Sequence, residues 1–142
     1  MAMKGSAKHV KIISIMLLNL FYIGLGGFIG SIARFLTYQA TDSLYHKTNF
    51  PMGTLAVNLL GSFLIGIALA LALKHQLFVR HSMLHYLFIS GFLGAFTTFS
   101  TFSQDNLVLL LNKNYFLFGC NLMLNVFLGL GLVFLGYAAV NR

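Results

Sequence analysis

Charge is almost absent from this chain, and that constrains its fold more than any motif in it. Lys, Arg, Asp and Glu make up 8% of its 142 residues, where a soluble domain carries about 25%. So few charges cannot clothe a water-facing surface, and the mean hydropathy is +0.87. The surface must face lipid. A helical span takes about 20 apolar residues, so the chain has room for four spans and short loops, and none for a separate soluble domain. The expectation is one all-α, polytopic domain covering 1–142.

Four apolar stretches meet it, at roughly 12–36, 53–73, 83–111 and 115–140. The first follows Lys4, Lys8 and Lys11, as in a secretory signal, and Ser31-Ile32-Ala33 has the small residues of a cleavage site. Its apolar run exceeds the 7–15 residues of a signal core, and three more runs follow, so it reads as a retained span. Gly26 and Gly30 in it have the small-xxx-small spacing that brings helices close. Pro51 before Gly53 suits a helix start, and Asn112-Lys113-Asn114 a tight turn. Short loops imply an up-down arrangement with both termini on one side. That side carries Lys4, Lys8, Lys11, Lys74, Arg80 and Arg142, the other Arg34, Lys47 and Lys113. Six against three favours termini inside.

The net charge of +7 does not point to nucleic acid, because basic residues flank spans for topology and headgroup contact. The lone Cys120 reads as packing. His9, His46, His75, His81 and His85 fall in or near loops without a ligand cluster.

Polar residues at membrane depth need a reason, since lipid offers no hydrogen bonds. Thr54, Asn58 and Ser62 form an i, i+4, i+8 stripe on the second span. Asn121 and Asn125 form another on the fourth, continued by Gly129. Either stripe alone reads as interhelical glue. The third span adds a break: Gly91 and Gly94, then Thr97-Thr98-Phe99-Ser100-Thr101-Phe102-Ser103. Hydroxyls can rebond to carbonyls freed where a helix stops, and broken helices are where transporters and channels hold ions. Phe99 and Phe102 sit among these hydroxyls, and an aromatic edge is electropositive. The acidic residues are Asp42 and Asp105, and spans one, two and four hold none. A proton-coupled exporter needs a carboxylate there. An anion path lined by neutral donors does not. A small four-span drug or cation transporter and a non-transporting assembly protein are the alternatives.

Three motifs then resemble one known family: Gly26-Gly27-Phe28-Ile29-Gly30-Ser31-Ile32-Ala33-Arg34, Gly53-Thr54-Leu55-Ala56-Val57-Asn58-Leu59-Leu60-Gly61-Ser62-Phe63, and Gly91-Phe92-Leu93-Gly94-Ala95-Phe96-Thr97-Thr98-Phe99-Ser100-Thr101-Phe102-Ser103. In this order, from about 26 to 137, they are similar to the fluoride-channel family called Fluc or CrcB. The resemblance implies an antiparallel, dual-topology homodimer of four-span subunits in the cell (inner or plasma) membrane. It implies passive fluoride efflux through two pores, and no enzyme activity. It implies Asn58, Phe99 and Phe102 as pore residues, with Ser100 and Thr101 in a polar track and Arg34 near the mouth. The Gly94 and Thr97 carbonyls match positions that hold a structural sodium ion at the dimer interface. The family often carries a Ser or Thr in span four where Gly129 stands here, so Asn125 is the donor expected from that span. The six-to-three charge bias leaves room for an oppositely oriented paralogue as partner.

Overall fold

The computed structural model describes residues 2–45 and 49–141, with the side chains of residues 2–8, 10, 42, 44 and 45 outside the description. Of the residues counted above, Lys47, Arg142 and His46 lie outside the described residues, as do the side chains of Lys4, Lys8 and Asp42. Helices form throughout. Helix α1 is Ala2–Tyr45 and α2 is Met52–His75. The third span is split: α3 is a wide π-wound stretch His85–Leu93 closed by one α-turn, Gly94–Phe96, and α4 is Phe99–Leu111. Helix α5 runs Tyr115–Met123, widens through a π-turn at Leu124–Leu128, and ends as Gly129–Val140.

Three of these helices are long and apolar enough to cross a bilayer: Lys11–Thr41 within α1, Met52–His75, and Tyr115–Val140. The split third span falls short only because neither half alone reaches about 20 residues. The chain is a polytopic membrane protein. Helix α1 continues past the apolar stretch at both ends, because nothing in residues 2–11 or 37–45 breaks a helix.

Contacts between helix ends fix the up-down order. Tyr38, late in α1, hydrogen-bonds Thr54, early in α2. Thr54 in turn donates to Asp105 on α4 at 2.6 Å. At the opposite end Lys74 of α2 donates to the Val140 carbonyl of α5 at 3.0 Å. Pro51 precedes α2, and Lys113 takes a left-handed φ of 58° in the turn between α4 and α5.

Two close crossings hold the bundle. A Cβ on Gly66 of α2 would strike the Val133 carbonyl of α5, and one on Gly136 would strike the Phe63 carbonyl. Each glycine seats the other helix's backbone. Gly26 and Gly30 do the same for α1 against α3, where they face the carbonyls of Leu87 and Phe92. Lipid gives no hydrophobic drive to pair helices, so such backbone proximity and interhelical hydrogen bonds supply the association energy. Apolar side chains point outward along α1 and α5, Leu17, Phe28, Phe116 and Phe134 among them, as lipid contact requires.

Candidate functional site

The third span stops being helical at Thr97 and Thr98. Both are extended, with φ −83° and ψ 161° for Thr97 and φ −152° and ψ 119° for Thr98. An ending helix leaves the carbonyls of its last turn without helical donors, and a starting one leaves its first N–H groups without acceptors. The break therefore sets the negative end of α3 beside the positive end of α4 inside the membrane region.

Local hydroxyls satisfy part of this. Thr97 Oγ1 donates back to the Leu93 carbonyl at 2.9 Å. Thr98 caps α4: its Oγ1 accepts from the Thr101 N–H at 3.1 Å. The same hydroxyl donates to Thr101 Oγ1 at 3.0 Å. Its one proton is thus committed, so the 3.1 Å contact with Ser100 Oγ is a donation from Ser100. Ser100 and Thr101 serve the cap rather than stand apart from it.

Asn58 of α2 bridges the break from across the bundle. Its Oδ1 accepts from the Thr98 N–H at 2.9 Å, and its Nδ2 donates to the Thr98 carbonyl at 3.1 Å. A carboxamide here reproduces what a neighbouring strand would offer an extended residue. The pair of bonds also fixes which end of the amide is oxygen, since a flipped amide would set like against like at both contacts.

From Asn58 a chain of carboxamides runs through α5 and back to α4. Asn58 Nδ2 donates to Asn125 Oδ1 at 2.9 Å. Asn125 Nδ2 donates to both the backbone O and the Oδ1 of Asn121, at 3.0 and 2.9 Å. Asn121, fully buried, donates to Asn106 Oδ1 at 3.2 Å. Asn106 donates to the Phe102 carbonyl at 2.9 Å. The π-turn at Leu124–Leu128 carries Asn125, and such turns displace backbone hydrogen bonds; the Asn121 carbonyl takes the side-chain amide of Asn125. Among the described residues no buried side-chain N or O lacks a partner, as a low-dielectric interior demands.

One open cavity of about 460 Å³ lies against this arrangement. Asn58, Gly94, Thr97, Phe99, Phe102 and Asn125 all line it, with Thr98 and Ser62. Phe102 is 7% exposed and Phe99 79%, their ring centroids 5.6 Å apart and tilted by 47°. A ring so open needs lipid or another subunit to cover it. Arg34 lies elsewhere: half-buried on α1, one turn beyond Gly30 and outside the cavity lining. Gly129 faces Ser62 across the bundle, where an added Cβ would lie 3.4 Å from the serine Oγ. The hydroxyl missing from span four is matched by one on α2.

Sequence reasoning did not single out Asn106 or Tyr38. Asn106 had a signal: Thr98, Phe102 and Asn106 follow each other at four-residue steps, one face of α4. Tyr38 had none, because its bond to Thr54 depends on how the first hairpin closes.

A family model described as CrcB-like protein, Camphor Resistance (CrcB), matches residues 21–137. The chain belongs to the CrcB family. Among its relatives, a protein of Campylobacter jejuni named fluoride-specific ion channel FluC is 48% identical over 123 residues, 86% of this chain and 97% of the relative. Proteins of the same name from Methanococcus maripaludis and Vibrio cholerae are 44% and 39% identical over 117 and 116 residues, each alignment covering 82% of this chain and 91% and 90% of the respective relatives. The matched residues 21–137 span the helix break, the asparagine chain and both glycine crossings.

Proposed function

We propose that this CrcB-family protein is a fluoride channel of the cell (inner or plasma) membrane, that it lets fluoride leave passively, and that it performs no chemistry. The observation that carries the reading is the Asn58 carboxamide seated on the extended Thr98 at the wall of the Phe99–Phe102 cavity. The relatives' names support the choice of anion. Fluoride is small and costly to dehydrate. Its path needs close N–H, O–H and ring-edge contacts that replace water without trapping the ion. Asn58, Asn125, Ser100, Thr101 and the edges of Phe99 and Phe102 are assigned that role, and Arg34 a positive charge toward one mouth.

The functional unit proposed is an antiparallel dimer with two pores. The groove's openness and the exposure of Phe99 fit a wall completed by a second, inverted copy. A structural sodium ion also fits. Carbonyl oxygens suit a hard cation. Gly94 is exposed and leaves its backbone open, while the Thr97 hydroxyl is already spent on Leu93. The Gly94 and Thr97 carbonyls of two copies would hold the ion, whose charge would tie the subunits together.

The test is efflux from liposomes loaded with potassium fluoride and read by a fluoride electrode after adding a potassium ionophore. Fluoride release with chloride retained is the expected outcome. Equal release of both anions, or none, contradicts the assignment.

A further inference from the structure

Asn58 and Asn125 both face the cavity, yet every carboxamide proton on them is already used. Asn58 Nδ2 spends its two on the Thr98 carbonyl and on Asn125 Oδ1. Asn125 Nδ2 spends its two on the backbone O and the Oδ1 of Asn121. The orientations are not arbitrary. Asn58 is set by the Thr98 N–H and carbonyl, Asn125 by the Asn121 carbonyl, and Asn106 by the Phe102 carbonyl. An anion arriving at Asn58 therefore meets an oxygen where it needs a donor.

We propose that Asn125 is a selectivity latch: its Oδ1 occupies the Asn58 N–H that a passing anion must take, and the anion opens the latch by turning the Asn125 amide over. The inference rests on the anion-path reading above. The turn is about the terminal side-chain torsion, which is soft in asparagine. It exchanges Oδ1 for Nδ2 at the cavity wall, so Asn58 and Asn125 then present two donors to one ion. Without the ion the turned state is poor, because Asn125 Oδ1 would then face the Asn121 carbonyl and Oδ1, both acceptors. Asn121 cannot follow cheaply, being fully buried and held to Asn106 at 3.2 Å. The network thus returns when the ion leaves, which conduction requires.

The selectivity follows from competition. The anion must outbid an amide oxygen for an N–H and fit where two side chains meet at 2.9 Å. Charge-assisted hydrogen bonds are about twice as strong as neutral ones, so a compact, strongly basic anion meets both conditions. A large, weakly accepting anion such as chloride meets neither.

Asn125→Ala removes the competitor. It also removes the second donor that the turned amide would offer, so what the variant loses is discrimination: fluoride efflux should persist and chloride efflux, absent from the wild type, should appear. Unchanged fluoride efflux with chloride still excluded overturns the latch. So does loss of all flux in a variant that still elutes as the assembled protein, for Asn125 would then be an obligatory ligand. The wild-type protein supplies a second arm that no folding defect can confuse. In nanodiscs with asparagine side chains labelled with 15N, fluoride should shift the amide resonances of both Asn58 and Asn125, and chloride neither. Movement of the Asn58 pair alone, or of neither pair, overturns the proposal. A wild-type protein that passes no fluoride refutes the channel reading itself; a conducting one whose Asn125 variant still excludes chloride refutes only the latch.

Discussion

Asn58 joins three helices through one side chain. It supplies both backbone bonds of Thr98 at the start of α4 and reaches Asn125 on α5. Asn58→Asp keeps the shape and the acceptor for the Thr98 N–H, but sets a carboxylate against the Thr98 carbonyl and Asn125 Oδ1. An anion about 4 Å from that charge meets about 4 kcal/mol of repulsion at an effective dielectric of 20, about three decades of occupancy. Fluoride efflux should fall to the liposome leak. Leucine at both Phe99 and Phe102 keeps the bulk and removes the electropositive edges. It too should abolish efflux while the protein elutes unchanged from a sizing column. Thr98→Ala removes the cap on α4 and should cost about 1 kcal/mol, read as a lowered thermal midpoint in detergent. The sequence already marked Asn58, Phe99 and Phe102 as residues to watch, because polar and aromatic groups in an apolar span need a reason. It could not show that Asn58 has no spare proton, since that depends on the spacing of α2, α4 and α5. Arg34 illustrates the opposite limit: a basic residue near a span end was legible as a charge, but its place outside the cavity lining was not.

At the level of helices, glycine position decides what can pack. Gly66 and Gly136 each face a backbone carbonyl of the partner helix, while Gly131 has open space around it. Gly66→Val should push α2 and α5 apart at a cost of about 1–3 kcal/mol and lower the yield of assembled protein on a sizing column. Gly131→Ala, which meets nothing, should match or exceed wild-type thermal stability, because alanine favours a helix by about 1 kcal/mol over glycine. Fluorescence-detected melting of the three proteins side by side checks both. The helix break was legible because a dense run of hydroxyls is costly at membrane depth unless freed backbone groups take up their hydrogen bonds. The Gly26–Gly30 contact with α3 was legible from its spacing. The π-turns at His85–Leu93 and Leu124–Leu128 were not, since an extra residue per turn leaves no mark in an apolar stretch. The four-residue spacing of Thr98, Phe102 and Asn106 was present in the sequence, but it marks a helix face only with the helix start in hand. That face is defined only once α4 is known to restart at Phe99.

For the whole molecule, the open cavity and the exposed ring of Phe99 leave a face for lipid or another subunit to cover. If an inverted second copy covers it, labels on the termini should appear on both sides of the membrane. Strictly one-sided labelling would mean that a diverged, oppositely oriented paralogue completes the pore, as the six-to-three bias of basic residues allows. Replacing sodium with a bulky organic cation should lower the melting temperature of the assembled protein if the Gly94 and Thr97 carbonyls hold an ion between subunits. An unchanged midpoint would remove the ion from the interface. The most direct measurement is fluoride-electrode efflux from liposomes carrying the wild-type protein or Asn58→Asp in equal amounts. Rapid fluoride release with chloride retained, reduced to leak by the aspartate, is the predicted result. Fluoride release that survives Asn58→Asp would contradict an anion path along the Asn58–Thr98 junction.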